Sequence, residues 1–262
     1  MKKSPPFIDF HNVTIILGNN VVLNAISVMI PDGEHVAILG PNGSGKSSFI
    51  KTIVREHYPA YNHSGTIFRT WGKELWDVFE LRSLFGYISQ DLQSSFNRNI
   101  SGRDVILSGF FSSIGLFFHS ITPKMEEKAK EISEFLEISH LMNRPLNTMS
   151  TGQARRFLIG RALVHDPRVL ILDEPSNSLD LTALHLLRST MQKVAKKTVI
   201  ILVTHSLPDI IPDIKRVLLF KDGKIFRDGV KEEVLTNESI SSVFEVPVKI
   251  RREDGFYYAT GY

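Results

Sequence analysis

The chain has 262 residues, of which 42% are hydrophobic and 23% are charged, so it is long enough for one globular domain, with or without a small appended lobe. Its net charge is only +3, and its basic residues are dispersed along the sequence, which argues against direct binding of nucleic acid. Cysteine is absent, which excludes disulfides and thiolate metal sites and is typical of a reducing compartment.

The N-terminal part of the chain is predicted to be rich in β-structure. Pro5, Pro6 and Asp9 interrupt the apolar stretch that a signal peptide needs, so secretion is not expected. Turn-forming residues at 18–20 and 31–33 separate the first strands. We expect strands at 7–16, 21–30, 35–39, 65–70 and 84–89, and a helix at 46–57.

The rest of the chain alternates predicted helices with strongly apolar strands. Residues 100–144 are predicted to be mostly helical, with Pro123 near the first position of a helix. Runs of apolar, β-branched residues at 169–172 and 198–203 are typical of strands buried on both faces of a parallel sheet. Further helices are expected at 151–165 and 181–196, and further strands at 216–220, 225–227, 246–251 and 256–259. No apolar run reaches the roughly 18 residues needed to span a membrane.

A glycine-rich motif lies between the third strand and the first helix. Its sequence is Gly40-Pro41-Asn42-Gly43-Ser44-Gly45-Lys46-Ser47, which fits the pattern G-x-x-x-x-G-K-[ST], and Ser48 follows it. Glycines let backbone N–H groups approach phosphates, and the following helix directs its positive end at them. We expect Lys46 to neutralise the β- and γ-phosphates and Ser47 to bind Mg²⁺. An ordinary glycine-rich turn is the alternative, but it does not explain the full match in this context.

A second motif ends an apolar strand with two carboxylates, Asp173 and Glu174. Unpaired charges are costly to bury, so this is an unusual way to end a buried strand. Asp173 is placed to hold Mg²⁺ or its water ligands, and Glu174 to act as general base on an attacking water. A solvated turn is the alternative interpretation, which the phosphate motif upstream makes less attractive.

A third motif, Met149-Ser150-Thr151-Gly152-Gln153, begins a predicted helix. It combines a serine hydroxyl, an accessible glycine backbone and a helix N-terminus, which together favour an anion. Because Lys46 already serves one phosphate chain, a second phosphate site has no evident use in a monomer. It is explained if the motif closes over the ATP of a neighbouring subunit.

With these three motifs the sequence resembles the ATP-binding cassette (ABC) ATPase family over nearly its whole length. The family signature L-S-G-G-Q appears as M-S-T-G-Q, with Thr151 in place of a glycine. The other family elements match in order Gln90, Ser178-Leu179-Asp180 and His205. The resemblance implies a single α/β domain over 1–262 with a P-loop NTPase core and a mostly parallel sheet. It also implies an N-terminal antiparallel β subdomain, a helical subdomain at about 91–145 and a C-terminal extension at about 230–262.

The resemblance assigns roles around bound ATP and Mg²⁺. Gln90 would sense the Mg²⁺ held by Ser47 and Asp173 and would link the site to the helical subdomain. His205 would contact the γ-phosphate and hold the geometry of the water that Glu174 activates. Because Glu174 and His205 are both present, a binding module that does not hydrolyse nucleotide is disfavoured.

The resemblance also implies a head-to-tail homodimer. Each ATP would then lie between the phosphate motif of one chain and Ser150 and Gly152 of the other, with Asp180 bridging the two sites. ATP would favour the closed dimer because both chains bind it, and hydrolysis would let the dimer open.

Leu17 occupies the position at which the family usually carries an aromatic residue that stacks on adenine. We therefore expect adenine to rest on an aliphatic surface, with weaker discrimination between bases.

By resemblance, the chain is the ATPase subunit of an importer for metal chelates or small anions. It would lie in the cytoplasm against the inner face of the membrane, bound to an integral membrane permease. Four phenylalanines within 110–118 would either form a docking patch for that partner or face the chain's own core. The alternative function is a stand-alone soluble ABC ATPase with a regulatory or mechanochemical role.

Overall fold

In the computed structural model the predicted strands and helices occur in the expected order, and a further helix, Val78–Ser83, was not predicted. The structure describes residues 4–60, 65–89, 92, 95, 96 and 99–262. The strands are β1 (Ile8–Leu17), β2 (Asn20–Ile30), β3 (Val36–Leu39), β4 (Ile67–Thr70), β5 (Phe85–Ile88), β6 (Val169–Asp173), β7 (Val199–Thr204), β8 (Arg216–Lys221), β9 (Lys224–Val230), β10 (Lys249–Glu253) and β11 (Phe256–Thr260). The α-helices are α1 (Lys46–Ile53), α2 (Val78–Ser83), α3 (Gly102–Ser108), α4 (Pro123–Phe135), α5 (Thr151–Leu163), α6 (Leu181–Ala195), α7 (Lys231–Val234) and α8 (Asn237–Phe244).

Internal contacts divide the chain into two compact units. The first comprises Met1–Arg82 and Ile201–Tyr262, and the second comprises Ser83–Ile200. In the first unit, β1 pairs antiparallel with both β2 and β4, which confirms the predicted N-terminal antiparallel sheet. The inward alternation of β1 shifts at Asn12, whose φ of 52° accompanies an irregularity in its register with β2.

A second sheet of the first unit carries the strand that leads to the phosphate motif. Its strands follow the order β7-β3-β8-β9. β3 is buried along its whole length and pairs in parallel with β7 and β8, as its unbroken apolar sequence predicts. β9 pairs antiparallel with β8.

Aromatic packing fixes α1 on this framework. The ring of Phe49, in the middle of α1, lies 5.2 Å from that of Phe220 on β8 and 6.1 Å from that of Phe10 on β1. Phe49 is fully buried, and its removal from water stabilises the unit by about 1.5–3 kcal/mol. The helix that follows the phosphate motif is therefore held from its interior face.

α1 is shorter than the predicted helix at 46–57, because Arg55 leaves the helical conformation with a φ of 62°. Its guanidinium lies 3.5 Å from the centre of the Phe68 ring and donates a hydrogen bond to the Phe68 carbonyl at 3.2 Å. Burial lowers the pKa of Arg55 to about 10. A tertiary contact therefore ends the helix before its local sequence pattern does.

The second unit is mainly helical around one parallel strand pair, β5 and β6. α4 begins with Thr122 as its N-cap and Pro123 in its first turn, as predicted. α3 crosses α5 so closely that a Cβ on Gly102 would overlap the ring of Phe157. The position of α5 therefore depends on this glycine.

The C-terminal hairpin of β10 and β11 belongs to the first unit. Its first strand begins at Lys249 and not at the predicted residue 246, since Pro247 has no N–H to donate to a ladder. β11 packs against a short 3₁₀ turn, Leu207–Asp209, which closely follows β7. The hairpin thus supports the segment that carries His205.

Candidate functional site

The loop between β3 and α1 is the glycine-rich motif predicted to hold phosphate. Gly43 and Gly45 have φ values of 79° and 101°, in the left-handed region that favours glycine. A Cβ on Gly45 would lie 2.9 Å from the carbonyl oxygen of Val22, so a larger residue here would displace the loop from β2. Glycine is therefore required by the backbone of this loop as well as by the approach of a ligand.

The N-terminus of α1 is left open. Its N-cap is Gly45, no side chain accepts a hydrogen bond there, and the first turn contains no acidic residue. The first amides of a helix have no acceptor within the helix, and together they carry a partial positive charge. This end of α1 therefore offers N–H donors and favourable electrostatics to an anion.

Lys46 and Ser44 complete the phosphate loop. Lys46 is buried, and its Nζ donates to the carbonyl oxygens of Gly40 at 2.7 Å and Pro41 at 2.9 Å. Ser44 is also buried, and its Oγ has no hydrogen-bond partner among the described residues. A buried hydroxyl without a partner is costly, and a phosphate oxygen would satisfy it. The residues of the loop therefore fit a phosphate chain.

His205 lies at the same sheet edge as the phosphate loop. Leu39, the last residue of β3, is paired with Thr204, the last residue of β7, so Gly40 and His205 both follow at the carboxyl ends of adjacent parallel strands. The His205 side chain is exposed. A cavity of about 410 Å³ lies beside it, lined by 205–208 and by apolar and aromatic side chains between Ile240 and Tyr262.

The acidic motif of the second unit ends β6. Asp173 is the last residue of the strand, Glu174 follows it, and both side chains are buried. Glu174 has a φ of 50°, a strained conformation for a residue with a side chain. Such strain is often found at functional sites, so the backbone sets Glu174 apart from an ordinary solvated turn.

Two of the three predicted Mg²⁺ ligands are described. Ser47 is exposed in the first turn of α1, and Asp173 ends β6. Gln90 lies outside the described residues. Ser48, also assigned to the nucleotide, is half-buried, and its carbonyl accepts a hydrogen bond from Thr52.

The third motif forms the N-terminus of α5, and its side chains cap their own helix. The Ser150 hydroxyl accepts from the Gln153 amide at 3.3 Å, and the Gln153 side chain accepts from the Ser150 amide at 3.0 Å. This reciprocal pair is a capping box, for which the spacing S-x-x-Q is the sequence signal. Thr151, the first residue of α5, is half-buried. A hydroxyl carries one hydrogen, so Ser150 is still able to donate to a ligand.

Gly152 and Asp180 both have structural roles in the second unit. A Cβ on Gly152 would lie 2.6 Å from the Cβ of Ala183, so glycine is required where α5 meets α6. Asp180 is the N-cap of α6, and its Oδ1 accepts from the amide of Ala183 at 2.7 Å. Packing therefore accounts for the glycine that was predicted to contact nucleotide, and capping accounts for the aspartate that was predicted to bridge the two sites of a dimer.

Leu17 ends β1 at the tip of the first hairpin, where its side chain is 39% exposed. Ile16 and Val21, which are paired across the hairpin, are also exposed. The tip therefore presents an aliphatic surface, and its contact with the base stays a prediction.

Comparison with known proteins decides the family. Residues 23–177 match the family described as ABC transporter. The chain is 33% identical over 245 residues to YlmA of Bacillus subtilis, an uncharacterized ABC transporter ATP-binding protein, with 91% of each chain covered. The chain belongs to the ABC transporter family.

Two further comparisons show which other proteins this ABC ATPase resembles. It is 28% identical over 251 residues to the hemin import ATP-binding protein HmuV of Aliivibrio fischeri, covering 93% of this chain and 92% of that one. Its fold matches a solved chain from a transporter described as metal-chelate type, in an inward-facing conformation, with a TM-score of 0.75. That match covers 98% of this chain and 96% of the other at 20% identity, and it shows a shared fold.

Membership confirms the predicted family, the P-loop NTPase fold and the enzymatic class: this ABC ATPase binds and hydrolyses ATP as the ATP-binding subunit of an ABC transporter. In the described part of the chain, no helix has both the length and the apolar character required to cross a bilayer. The roles of individual site residues stay predictions.

Sequence reasoning missed two features of the ABC ATPase. The capping box of Ser150 and Gln153 was visible as a sequence pattern. The hydrogen bond between the side chains of Thr204 and Asp209, which flank His205, was not visible, because it depends on the conformation of the turn.

Proposed function

We propose that this ABC ATPase drives the import of metal chelates or small anions, and that it hydrolyses MgATP in a head-to-tail homodimer. The observation that carries the import assignment is the similarity to a hemin import ATP-binding protein over 93% of the chain. The open N-terminus of α1, with Lys46 folded over its loop, supports the binding of MgATP.

The chain's own residues account for each part of the chemistry. The amides of the phosphate loop and Lys46 would bind the β- and γ-phosphates, and Ser47 and Asp173 would hold Mg²⁺, which would supply positive charge to the phosphates when bound. Glu174 accepts a proton from the attacking water, and His205 orients that water through the γ-phosphate.

The dimer assignment is supported by the geometry of α5. The Ser150 hydroxyl accepts one hydrogen bond from its own helix, and its hydrogen is able to donate to an anion. The site is therefore a weak phosphate binder alone and a useful second contact for a phosphate already held by another subunit. We assign this contact to the γ-phosphate of ATP bound by the second copy.

Part of the phenylalanine segment is available for the permease. Phe110 packs its ring against His165 at 5.5 Å, and Phe111 stacks on His119 at 4.1 Å. Phe117 and Phe118 are 70% and 103% exposed. We assign the permease contact to these two exposed rings, because exposed aromatic side chains are enriched at protein interfaces.

Co-purification from native membranes in mild detergent tests the transport role. We expect an integral membrane protein in stoichiometric amount with the tagged parent chain. The double variant Phe117→Ser/Phe118→Ser is expected to lose this partner, while Phe226→Ser, which changes an exposed ring on β9, keeps it. ATP hydrolysis by the isolated double variant should stay at the parental level.

The alternative is a stand-alone ABC ATPase with a regulatory or mechanochemical role. In that case the parent chain is recovered only in the soluble fraction, as a monomer that dimerises with ATP. That result would overturn the import proposal and the docking role of the two rings.

A further inference from the structure

The segment that carries His205 is held by a hydrogen-bonded pair of buried side chains. Thr204 and Asp209 have 0% and 1% of their surface exposed. The Thr204 hydroxyl donates to Oδ2 of Asp209 at 2.6 Å and accepts from the amide of Ser206 at 2.9 Å. Thr204 and Ser206 are the two chain neighbours of His205, so these bonds fix the backbone on both sides of it.

The direction of these bonds follows from the chemistry of a hydroxyl. A threonine side chain has one hydrogen to donate and two lone pairs with which to accept. The Asp209 carboxylate takes that hydrogen, so the lone pairs of Thr204 are left for the Ser206 amide. Asp209 thereby determines which way the hydroxyl is oriented, and the hydroxyl in turn determines the path of the backbone through His205.

The turn is closed by the backbone as well. The Asp209 amide donates to the carbonyl of Ser206 at 3.2 Å, and the Ile210 amide donates to that of Leu207 at 3.1 Å. These backbone bonds close the turn and so place the Asp209 carboxylate next to the Thr204 hydroxyl. Burying a carboxylate is costly, and an apolar residue would make a cheaper core.

The cavity beside His205 shows why a polar pair is needed there. One wall of this space, about 410 Å³ in volume, is formed by 205–208. Packing on that side is therefore incomplete at His205 itself, although the turn that follows, Leu207–Asp209, contacts β11. The register of β7 with β3 fixes Thr204 opposite Leu39, and the Thr204–Asp209 pair extends that order to His205.

We propose that Asp209 is a positioning residue for His205, acting through the hydroxyl of Thr204. The proposal rests on the proposed role of His205 at the γ-phosphate. A misplacement of about 1 Å in a catalytic group costs up to about 100-fold in rate. Loss of the pair is therefore expected to lower kcat for ATP hydrolysis by at least about tenfold, with little change in the KM for ATP.

The decisive variant replaces both partners by apolar side chains of similar shape, Thr204→Val/Asp209→Leu. Removing both side chains leaves neither of them unsatisfied, whereas removing one leaves the other without its partner. The Ser206 amide also loses its acceptor in the double variant, but Ser206 is half-buried, so solvent is able to replace that bond. A purely structural pair would thus be rescued by the double variant. A positioning pair would not, and the double variant should unfold near the parental Tm with a low kcat.

Steady-state hydrolysis by the purified full chain gives kcat and KM, and Thr204→Ser, which keeps the hydroxyl, should retain kcat within about threefold. Parental kcat in the folded double variant would overturn the proposal. If the double variant does not fold, Thr204→Val alone is measured: parental kcat in this variant would overturn the proposal, and a low kcat at the parental Tm would support it.

His205→Ala separates this inference from the function on which it rests. If Asp209 acts through the histidine, adding Thr204→Val/Asp209→Leu to His205→Ala should lower kcat no further. Multiplicative losses would contradict the inference and leave the role of His205 intact. Parental hydrolysis by His205→Ala itself would instead show that the proposed role of the histidine is wrong.

Discussion

The N-termini of α1 and α5 are both assigned to the phosphates of ATP, but they are built in opposite ways. The first has a glycine N-cap, no side-chain cap and a buried lysine beside it. The second is closed by a capping box in which Ser150 and Gln153 satisfy each other's amides. α1 therefore begins with donors that no side chain satisfies, whereas at α5 the amides of Ser150 and Gln153 are already satisfied without an anion.

This difference indicates how much each of the two helix ends contributes to the binding of ATP. An open helix end gains binding energy from any phosphate that reaches it. A self-capped end gains only what its remaining hydroxyl hydrogen and backbone donate. We infer that α1 supplies most of the affinity for ATP. We also infer that α5 contacts a phosphate only when a second copy of the chain brings its bound ATP to α5.

The strongest test of this division stops hydrolysis while ATP stays bound. Glu174→Gln should lower kcat by at least about 10²-fold, because the general base is lost. Affinity for ATP should be unchanged in titration calorimetry, and ATP should then hold the variant as a dimer in size-exclusion chromatography. Glu134→Gln, an exposed carboxylate on α4, is the matched control. Hydrolysis by Glu174→Gln at the parental rate would sink the mechanism.

The next test removes the cation at the open end. Lys46→Met should weaken ATP binding by about 10- to 100-fold, which corresponds to the loss of hydrogen bonds to a charged group. Lys51→Met on the same helix should leave the affinity unchanged. Equal affinity for the parent and Lys46→Met in calorimetry would contradict the assignment of affinity to α1.

A smaller effect concerns the base. If affinity resides in the phosphate loop, GTP should compete with ATP within about tenfold, since no more than about 1.4 kcal/mol of aromatic stacking is missing at Leu17. Competition against a fluorescent ATP analogue measures the ratio, and Leu17→Tyr should increase the preference for ATP. A much stronger preference for ATP over GTP in the parent chain would contradict the prediction that adenine rests on this aliphatic surface.

The smallest effect on ATP affinity is expected at the N-terminus of α5, which is capped by its own side chains. Ser150→Ala should destabilise the chain by about 1 kcal/mol through loss of the cap, without changing the affinity of the monomer for ATP. Ser150→Asp keeps a capping oxygen but has no hydrogen to donate at neutral pH. We expect it to restore the Tm and still to prevent ATP-driven dimerisation. Dimerisation by Ser150→Asp at the parental ATP concentration would show that the hydroxyl does not bind the phosphate.

Much of the fold was predictable because buried segments are recognisable from their apolar residues in the local sequence. β3 is apolar throughout, and β6 and β7 are apolar up to their last residues, Asp173 and Thr204, because each strand is buried along nearly its whole length. The end of α1 was predicted too late, because it is set by the contact of Arg55 with Phe68, which is distant in sequence. Element type followed from local pattern, and the boundary depended on a tertiary contact.

The candidate site divides in the same way. The phosphate loop was predictable because its glycines, lysine and serine are contiguous in the sequence. The Thr204–Asp209 pair was not, because neither residue type signals a buried hydrogen bond without the intervening turn. The contact between Gly152 and Ala183 joins two helices and has no local pattern at all.

The contact between Gly152 and Ala183 gives the signature motif a structural role as well as its proposed role in binding nucleotide. Glycine at position 152 is required where α5 packs on α6 within one subunit, whether or not nucleotide is present. The adjacent position carries Thr151, where the family signature has its other glycine. A glycine retained at 152 in a diverged relative would thus be a mark of folding, and would not by itself identify an active ATPase. We expect a larger residue at 152 to be accepted only together with glycine at 183.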